Sequence, residues 1–509
     1  MSGIKLEIKG IVQGVGFRPF IYNLALKYQL SGYVLNDTNG VEIEAEGKKS
    51  DLDKFLLQIK SSPPPQSKIE QIKVKKISFR GYRSFVIKQS EKKDTKTVLV
   101  SPDLATCDDC LNELFDPQNR RFGYPFLNCT NCGPRLTIIK DILYDRDKTT
   151  MSIFKMCPDC YREYHSPENR RFHAQPNACP VCGPKLTLID NKKKTLSTND
   201  PVASTIEFLR KGYIVAIKGI GGYHLACDAT NKDAVSTLRK RKYREDKPFA
   251  MMAYGLKTIH KFCYVNPFEK KLLQSVQRPI LLLKKKNVNL IAPDVAPLQK
   301  NWGVMLPYSP LHQLLLSKSS LTLVMTSGNQ SDEPICYEDE DAFFRLNKIA
   351  DYFLIHNREI FRRCDDSVTR MWKGEEMILR RARGYVPQPT KVDLNFRKQI
   401  LATGGQLKNT FCLARDNFAF LSTHIGDLEN FETLDYYTKE IKRLKKLCSV
   451  KPEIIAYDLH PEYLSTKYAQ SLSDVKKIPV QHHHAHIASC MAENRINRKV
   501  IGIAFDGTG

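Results

Sequence analysis

The stretch RRFGYPFLNCTNCGPRLT at residues 120–137 returns fifty residues later as RRFHAQPNACPVCGPKLT at residues 170–187. Each copy follows another cysteine pair, so the chain contains Cys107-x2-Cys110-x18-Cys129-x2-Cys132 and then Cys157-x2-Cys160-x18-Cys179-x2-Cys182. Two thiols separated by two residues reach one tetrahedral ion from a tight turn, and a second such turn completes a four-cysteine site. The doubled spacing therefore predicts two structural zinc ions. Each site draws its thiols from one copy, as the local spacing favours, or the pairs interleave between copies. His165 and His173 are the available substitutes for a thiol. With so little apolar sequence between the ligands, metal binding supplies much of the folding free energy of this segment.

A chain of 509 residues exceeds one hydrophobic core, and about 150 residues per domain gives three or four units. No apolar run reaches the roughly 18 residues of a spanning helix, and the opening MSGIKLEIKG lacks the order of a signal peptide, so a cytoplasmic protein is expected. In that compartment the fifteen cysteines are assigned to metal or burial rather than to disulfides. The net charge of +24 fits an anionic partner, either nucleic acid or phosphate-bearing small substrates, and equally a solvated surface.

Polar stretches at residues 88–97, 190–200 and 386–398 read as linkers and divide the chain into units at 1–90, 100–190, 200–385 and 395–509. The first unit has the order βαββαβ, the ferredoxin-like plan. Its residues 10–18, GIVQGVGFR, with Asn36 in GYVLND, resemble the acylphosphatase family. A glycine-interrupted turn into a helix gathers backbone N–H groups into an anion nest, and an arginine there grips phosphate with its fork. The resemblance implies that Arg18 holds an acyl phosphate and that Asn36 orients the attacking water.

From residue 200 onward strands and helices alternate as in an α/β domain. The segments KGIGGYHLACDA, KRKYREDKPFAMM, GVMLPYSPLHQLLL and LVMTSGNQSDEPI resemble the YrdC-like family, which makes acyl-adenylates from ATP. The match implies that Lys242, Arg244 and Lys247 face the triphosphate and that Ser327 and Asn329 contact the nucleotide or its acyl group. Gly219, Gly221 and Gly222 are a weak phosphate-loop signal alone. HNREIFRRCDDSV at residues 356–368 also looks family-like, without assignable roles.

In the fourth unit ATGGQLKNTFCLA has the look of the first strand and turn of an actin-like kinase fold, and VQHHHAHIASCMAE places His482 and His486 four apart. On a helix that spacing puts both imidazoles on one face, able to share a metal. The motif resembles the metal-binding helix of the family that transfers threonylcarbamoyl groups to tRNA. The closing IGIAFDGTG reads as a strand running into Asp506 and a phosphate-facing turn, which assigns Asp506 to the nucleotide and implies a second lobe beyond it.

Taken together, the expected architecture is multidomain α/β and α+β: a ferredoxin-like acylphosphatase domain, two four-cysteine zinc fingers, a YrdC-like α/β domain and the first lobe of an actin-like kinase fold. That combination resembles the hydrogenase maturation carbamoyltransferase HypF family. The resemblance implies a relay from carbamoyl phosphate to carbamate, then to an adenylate made with ATP and Mg, then to a cysteine of the partner HypE for cyanide ligand synthesis. It implies neither a nucleic-acid nor a membrane partner. Two other readings are a tRNA threonylcarbamoylation enzyme, which leaves the acylphosphatase unit without a purpose, and a zinc-finger nucleic-acid-binding protein.

Overall fold

The computed structural model describes residues 1–37, 40–88, 99–141, 144–331 and 333–506. The expected linker at residues 88–97 lies almost wholly outside the described residues, as do Thr38 and Asn39 of the expected hairpin turn and Gly507, Thr508 and Gly509 of the closing turn. The chain forms two compact units, Met1–Ser331 with Ile335–Tyr385, and Asp332–Pro334 with Val386–Gly509.

The first unit opens with strand Ser2–Ile11, helix Phe17–Lys27, strands Ser31–Asp37 and Gly40–Gly47, helix Lys49–Ser61 and strand Lys68–Ile77. Alternation along the first strand sends Leu6 and Ile8 inward, and spacing by three and four on the second helix does the same for Leu52, Phe55 and Ile59. Each such side chain contributes roughly 1.5–3 kcal/mol by leaving water. This is the expected ferredoxin-like sheet, and part of the SFVIKQ stretch, strand-like in the sequence, joins it. A short strand, Phe85–Ile87, pairs in parallel with Ser31–Asp37 and makes the sheet five-stranded.

The cysteine-rich segment contributes two short helices, Asp108–Phe115 and Pro158–His165, each starting directly after the first cysteine of its copy. This segment packs into the α/β region C-terminal to it. Cys110, Leu114, Tyr124 and Phe126 share one apolar cluster with Ile217, Met305 and Leu311, and Thr106 N–H donates to the Tyr308 carbonyl at 3.1 Å.

The α/β region is built on a ten-stranded mixed sheet in the order Glu375–Arg380, Val368–Trp372, Ile280–Lys284, Asn301–Met305, Ala250–Met252, Leu323–Ser327, Tyr223–Asp228, Val215–Lys218, Tyr352–His356, Leu186–Asp190. The last of these comes from the end of the second cysteine copy, and its antiparallel pairing with Tyr352–His356 ties that copy to the sheet by a hydrogen-bonded ladder. Apolar clusters cover both faces, as a sheet with central parallel and antiparallel buried strands requires.

In the second unit the sheet order is Cys412–Leu421, Thr390–Ala402, Ile454–Asp458, Lys476–Val480. Residues 386–398, read as a linker, are strand from Thr390 onward. Val392, Leu394 and Phe396 alternate with charged or polar residues there, a period-two pattern that the surrounding lysines and prolines obscured. Helix Phe431–Cys448 buries Tyr437, Ile441 and Leu444, and helix His482–Glu493 is capped by the Gln481 side chain, which accepts from the His484 N–H. Residues 501–505 form no strand, in contrast to the expectation for the closing IGIAF. No helix among the described residues is long and apolar enough to cross a membrane.

Candidate active sites and metal centres

The turn between the first strand and first helix carries Gly14 at φ 71° and Gly16 at φ 74°, left-handed positions that aim consecutive N–H groups at one point. Arg18, in the first turn of the helix, is only 7% exposed. Burial pulls its guanidinium below the usual arginine value, and Asp145 at 3.6 Å acts against that shift. Asn36 is buried across the same pocket, and its Oδ1 has no hydrogen-bond partner among the described residues. Arg18 and Asn36 are thus brought together as the sequence predicts.

The pocket is not built by this small fold alone. Thr130, Arg135, Tyr144, His173 and Gln175 of the cysteine-rich segment complete its wall. The buried Arg135 donates from Nε to the Gly14 carbonyl at 2.9 Å. A Cβ on Gly14 would sit 2.8 Å from the Tyr144 ring, and one on Gly16 would sit 3.1 Å from Thr130 Oγ1. The anion nest is therefore clamped from outside, and a side chain at Gly14 would force the Tyr144 ring to shift.

The eight repeat cysteines form two clusters, each drawn from one copy, which settles the pairing the sequence leaves open. Sγ···Sγ separations are 3.5–3.9 Å in the first cluster and 3.7–3.8 Å across the measured pairs of the second. A tetrahedral ion with metal–sulfur bonds of about 2.3 Å sets its ligands about 3.8 Å apart, so both donor sets fit zinc. His165 and His173 belong to neither cluster.

The copies exchange arginines. Arg120 donates to Cys160 Sγ at 3.2 Å and pairs with Glu163 at 2.8 Å, while Arg121 donates to Glu163 and, at 2.9 Å, to the Ala178 carbonyl. Reciprocally, Arg170 donates to Cys110 Sγ at 3.2 Å and pairs with Glu113 at 2.7 Å, while Arg171 donates to Glu113 and, at 3.0 Å, to the Asn128 carbonyl. The paired arginines of one copy thus brace the thiolate cluster of the other, a pseudo-twofold arrangement that needs two copies and accounts for the repeat. Burial opposes the charge of Glu163, but hydrogen bonds from Arg121 and Arg120 more than offset it and hold the carboxyl down to about 2. Glu163→Ala leaves the buried Arg121 without its carboxylate, and a loss of roughly 3 kcal/mol is expected in chemical denaturation of the zinc-loaded protein. An unchanged midpoint would contradict the brace.

At the C-terminus of helix Lys232–Arg241, Lys242 is fully buried and its Nζ donates to the carbonyls of Ser327 and Asn329 and, at 2.6 Å, to Asn329 Oδ1. Ser327 Oγ donates to the same amide oxygen at 2.7 Å. Lys242, Ser327 and Asn329 are thus brought together, with the Lys242 ammonium bracing the Ser-Gly-Asn turn. Arg244 and Lys247 lie on an adjacent exposed loop, held where Arg239 donates to the Arg244 and Lys247 carbonyls.

Sequence reasoning missed the residues behind this turn. His224 meets Asp366 at 2.9 Å, Arg383 donates from Nε to the other oxygen of Asp366 at 2.7 Å, and the Arg383 guanidinium lies 3.4 Å from the Tyr308 ring centroid. Beside them a second pocket joins Lys218, His356 and Arg358 to Phe126 and Pro134 of the first finger. Arg358 is 4% exposed and its Nε has no partner among the described residues, and burial pulls its guanidinium down to about 10. Several arginines in the otherwise apolar-flanked run at residues 356–368 were the available signal.

In the second unit His482 and His486 share a helix face as expected, and Asp506 joins them. Asp506 Oδ2 lies 3.0 Å from His482 Nε2 and 3.5 Å from His486 Nε2, and the Nδ1 of His482 is held by Asp458. The three side chains are near enough to ligate one ion. Asp506, assigned from sequence to the nucleotide, therefore stands in this structure as the third member of the histidine cluster, because the chain around it loops back instead of extending as a strand.

Comparison with known proteins finds four family models along the chain. Family models match as Acylphosphatase at residues 4–87, HypF finger at 106–139 and 156–189, the Sua5/YciO/YrdC family described as Telomere recombination at 207–382, and HypF Kae1-like domain at 395–493. The chain is similar to Carbamoyltransferase HypF of Synechocystis sp., with 45% identity over 100% of this chain and 66% of that protein. It is also similar to Probable carbamoyltransferase HypF of Methanocaldococcus jannaschii, with 43% identity over 99% of this chain and 67% of that protein. A crystal structure of full-length HypF in a phosphate- and nucleotide-bound form superposes with a TM-score of 0.97 at 52% identity, covering 100% of this chain and 66% of that one. The chain spans 66% and 65% of the length of the first curated relatives it matches.

Proposed function

This chain belongs to the HypF carbamoyltransferase family, and from that premise we propose that it converts carbamoyl phosphate and ATP into an activated carbamoyl group for hydrogenase maturation. The phosphate of carbamoyl phosphate is held by the N–H groups of the Gly14–Gly16 turn and by the Arg18 guanidinium, whose cationic fork offsets charge on the phosphoryl oxygens. Asn36 Oδ1 accepts a hydrogen bond from the attacking water and orients it. Water adds at phosphorus, the bridging P–O bond breaks, and its electron pair leaves with carbamate.

The carbamate oxygen then attacks the α-phosphorus of Mg–ATP, and pyrophosphate departs. Here Ser327 and Asn329, with Lys242 fixing their turn, contact the nucleotide, and Arg244 and Lys247 offset the charge of the leaving pyrophosphate. The cysteine thiolate of HypE then attacks the carbamoyl carbon, the bond from that carbon to the adenylate oxygen breaks, and AMP leaves with its electron pair. His482, His486 and Asp506 are the side chains that would hold a divalent ion in the second unit, where it would supply Lewis-acid charge. The two zinc ions are structural.

The single observation that carries the proposal is the placement of Arg18 and an unpartnered Asn36 oxygen around a clamped anion nest. The test is to supply the protein with Mg–ATP, with and without carbamoyl phosphate, and to follow phosphate and pyrophosphate together. Both products are expected with carbamoyl phosphate present, and no pyrophosphate without it. Pyrophosphate release that ignores carbamoyl phosphate would overturn the reading.

A further inference from the structure

The two finger copies align at an offset of fifty and differ at nine of the eighteen positions of the repeated stretch, and one of the differing pairs keeps a left-handed backbone in both copies. After RRF the first copy has Gly123 at φ 66°, and the second has His173 at φ 54°. A left-handed backbone suits glycine and costs other residues about 1 kcal/mol or more. The second copy accepts that strain to present an imidazole, and the imidazole faces the pocket of Arg18 and Asn36.

The ring is firmly placed. It stacks on Tyr164 with centroids 5.2 Å apart and planes 22° apart, and it meets Phe172 edge-on at 4.5 Å. Burial first, and the Arg18 charge second, hold His173 down to about 3. A neutral imidazole keeps one lone-pair nitrogen as an acceptor.

Carbamoyl phosphate differs from acetyl phosphate by an amino group in place of a methyl, that is, by two N–H donors. Main-chain N–H groups and a guanidinium recognise the phosphate that both share and cannot tell them apart. Of the acceptors that the fingers bring near, Gln175 Oε1 already accepts from the Tyr164 hydroxyl at 2.6 Å and Asp145 faces Arg18 at 3.6 Å. Gln13 Oε1 lies on the loop that resembles acylphosphatases in general, so it is no basis for a preference special to this chain.

Resting on the proposed acylphosphatase reaction, we propose that His173 is a specificity-determining residue: its ring nitrogen accepts a hydrogen bond from the amino group of carbamoyl phosphate, so that the second finger selects the substrate of the neighbouring domain. A site that hydrogen-bonds a substrate N–H disfavours the analogue lacking it, because the acceptor is then left buried and unpaired.

The test measures kcat/KM for phosphate release from carbamoyl phosphate and from acetyl phosphate, in the zinc-loaded protein and in His173→Gly, His173→Asn and Arg18→Ala. Glycine restores the residue that the first copy uses at this backbone position, and asparagine tolerates φ > 0 while keeping an acceptor oxygen. The carbamoyl-to-acetyl ratio is expected to fall about tenfold in His173→Gly and to recover in part in His173→Asn. An unchanged ratio in His173→Gly, or an equal fall on both substrates, overturns the proposal. Full activity of Arg18→Ala on both substrates would instead overturn the acylphosphatase reading beneath it.

Discussion

Stripping the metal from this protein with a chelator is expected to abolish phosphate release from carbamoyl phosphate, although no cysteine lies in the proposed chemistry. Structural four-thiolate zinc sites carry apparent binding free energies of about 10–16 kcal/mol, which becomes folding free energy when the site does not exist without the ion. Here each of the two clusters of four thiols would lose the ion at its centre. The turns they fix carry Thr130 and Arg135, which clamp the anion nest, and His173, which closes the pocket. The apolar cluster that the first finger shares with the large sheet would be exposed as well. Zinc content, thermal unfolding and phosphate release should therefore fall together and return together when zinc is restored. A metal-free protein that kept its rate would show that the acylphosphatase fold is complete without the fingers.

Arg18→Ala should lower phosphate release by about two to three orders of magnitude, the usual effect of removing a preorganised cationic or hydrogen-bonding partner of a developing charge. The loss should reside mainly in kcat/KM, with little change in thermal stability. Arg18 is buried, yet its ion pair with Asp145 at 3.6 Å is long, and burial is what chiefly perturbs the guanidinium. Arg18→Lys should recover little, because a point charge does not reproduce the fork. Steady-state phosphate release with circular dichroism on the same preparations separates lost chemistry from lost fold.

Local features were readable in the sequence for a physical reason. The nest and Arg18 lie within nine residues, and the cysteines of each zinc site come in pairs whose spacing is itself the geometry. Asn36, on a strand that is not adjacent to the one leading into the loop, followed only from the resemblance to acylphosphatases. Contacts made across long separations were not readable. Nothing in RRF states that Arg120 will reach Cys160 or that Arg170 will reach Cys110, since self-pairing within a copy would give the same sequence. Lys242 was singled out only by resemblance, and its bond to Asn329, eighty-seven residues away, appears only in the fold. Asp506 followed an apolar run that resembles a strand, and its place beside His482 depends on how the chain returns. The Thr390–Ala402 strand was hidden by lysines on its exposed face.

The central claim is that one site makes carbamate and a second site consumes it. The most direct measurement is pyrophosphate release by Arg18→Ala protein given Mg–ATP with either carbamoyl phosphate or freshly prepared carbamate. The account requires release with carbamate near the wild-type rate and almost none with carbamoyl phosphate. Equal release from both substrates would contradict it.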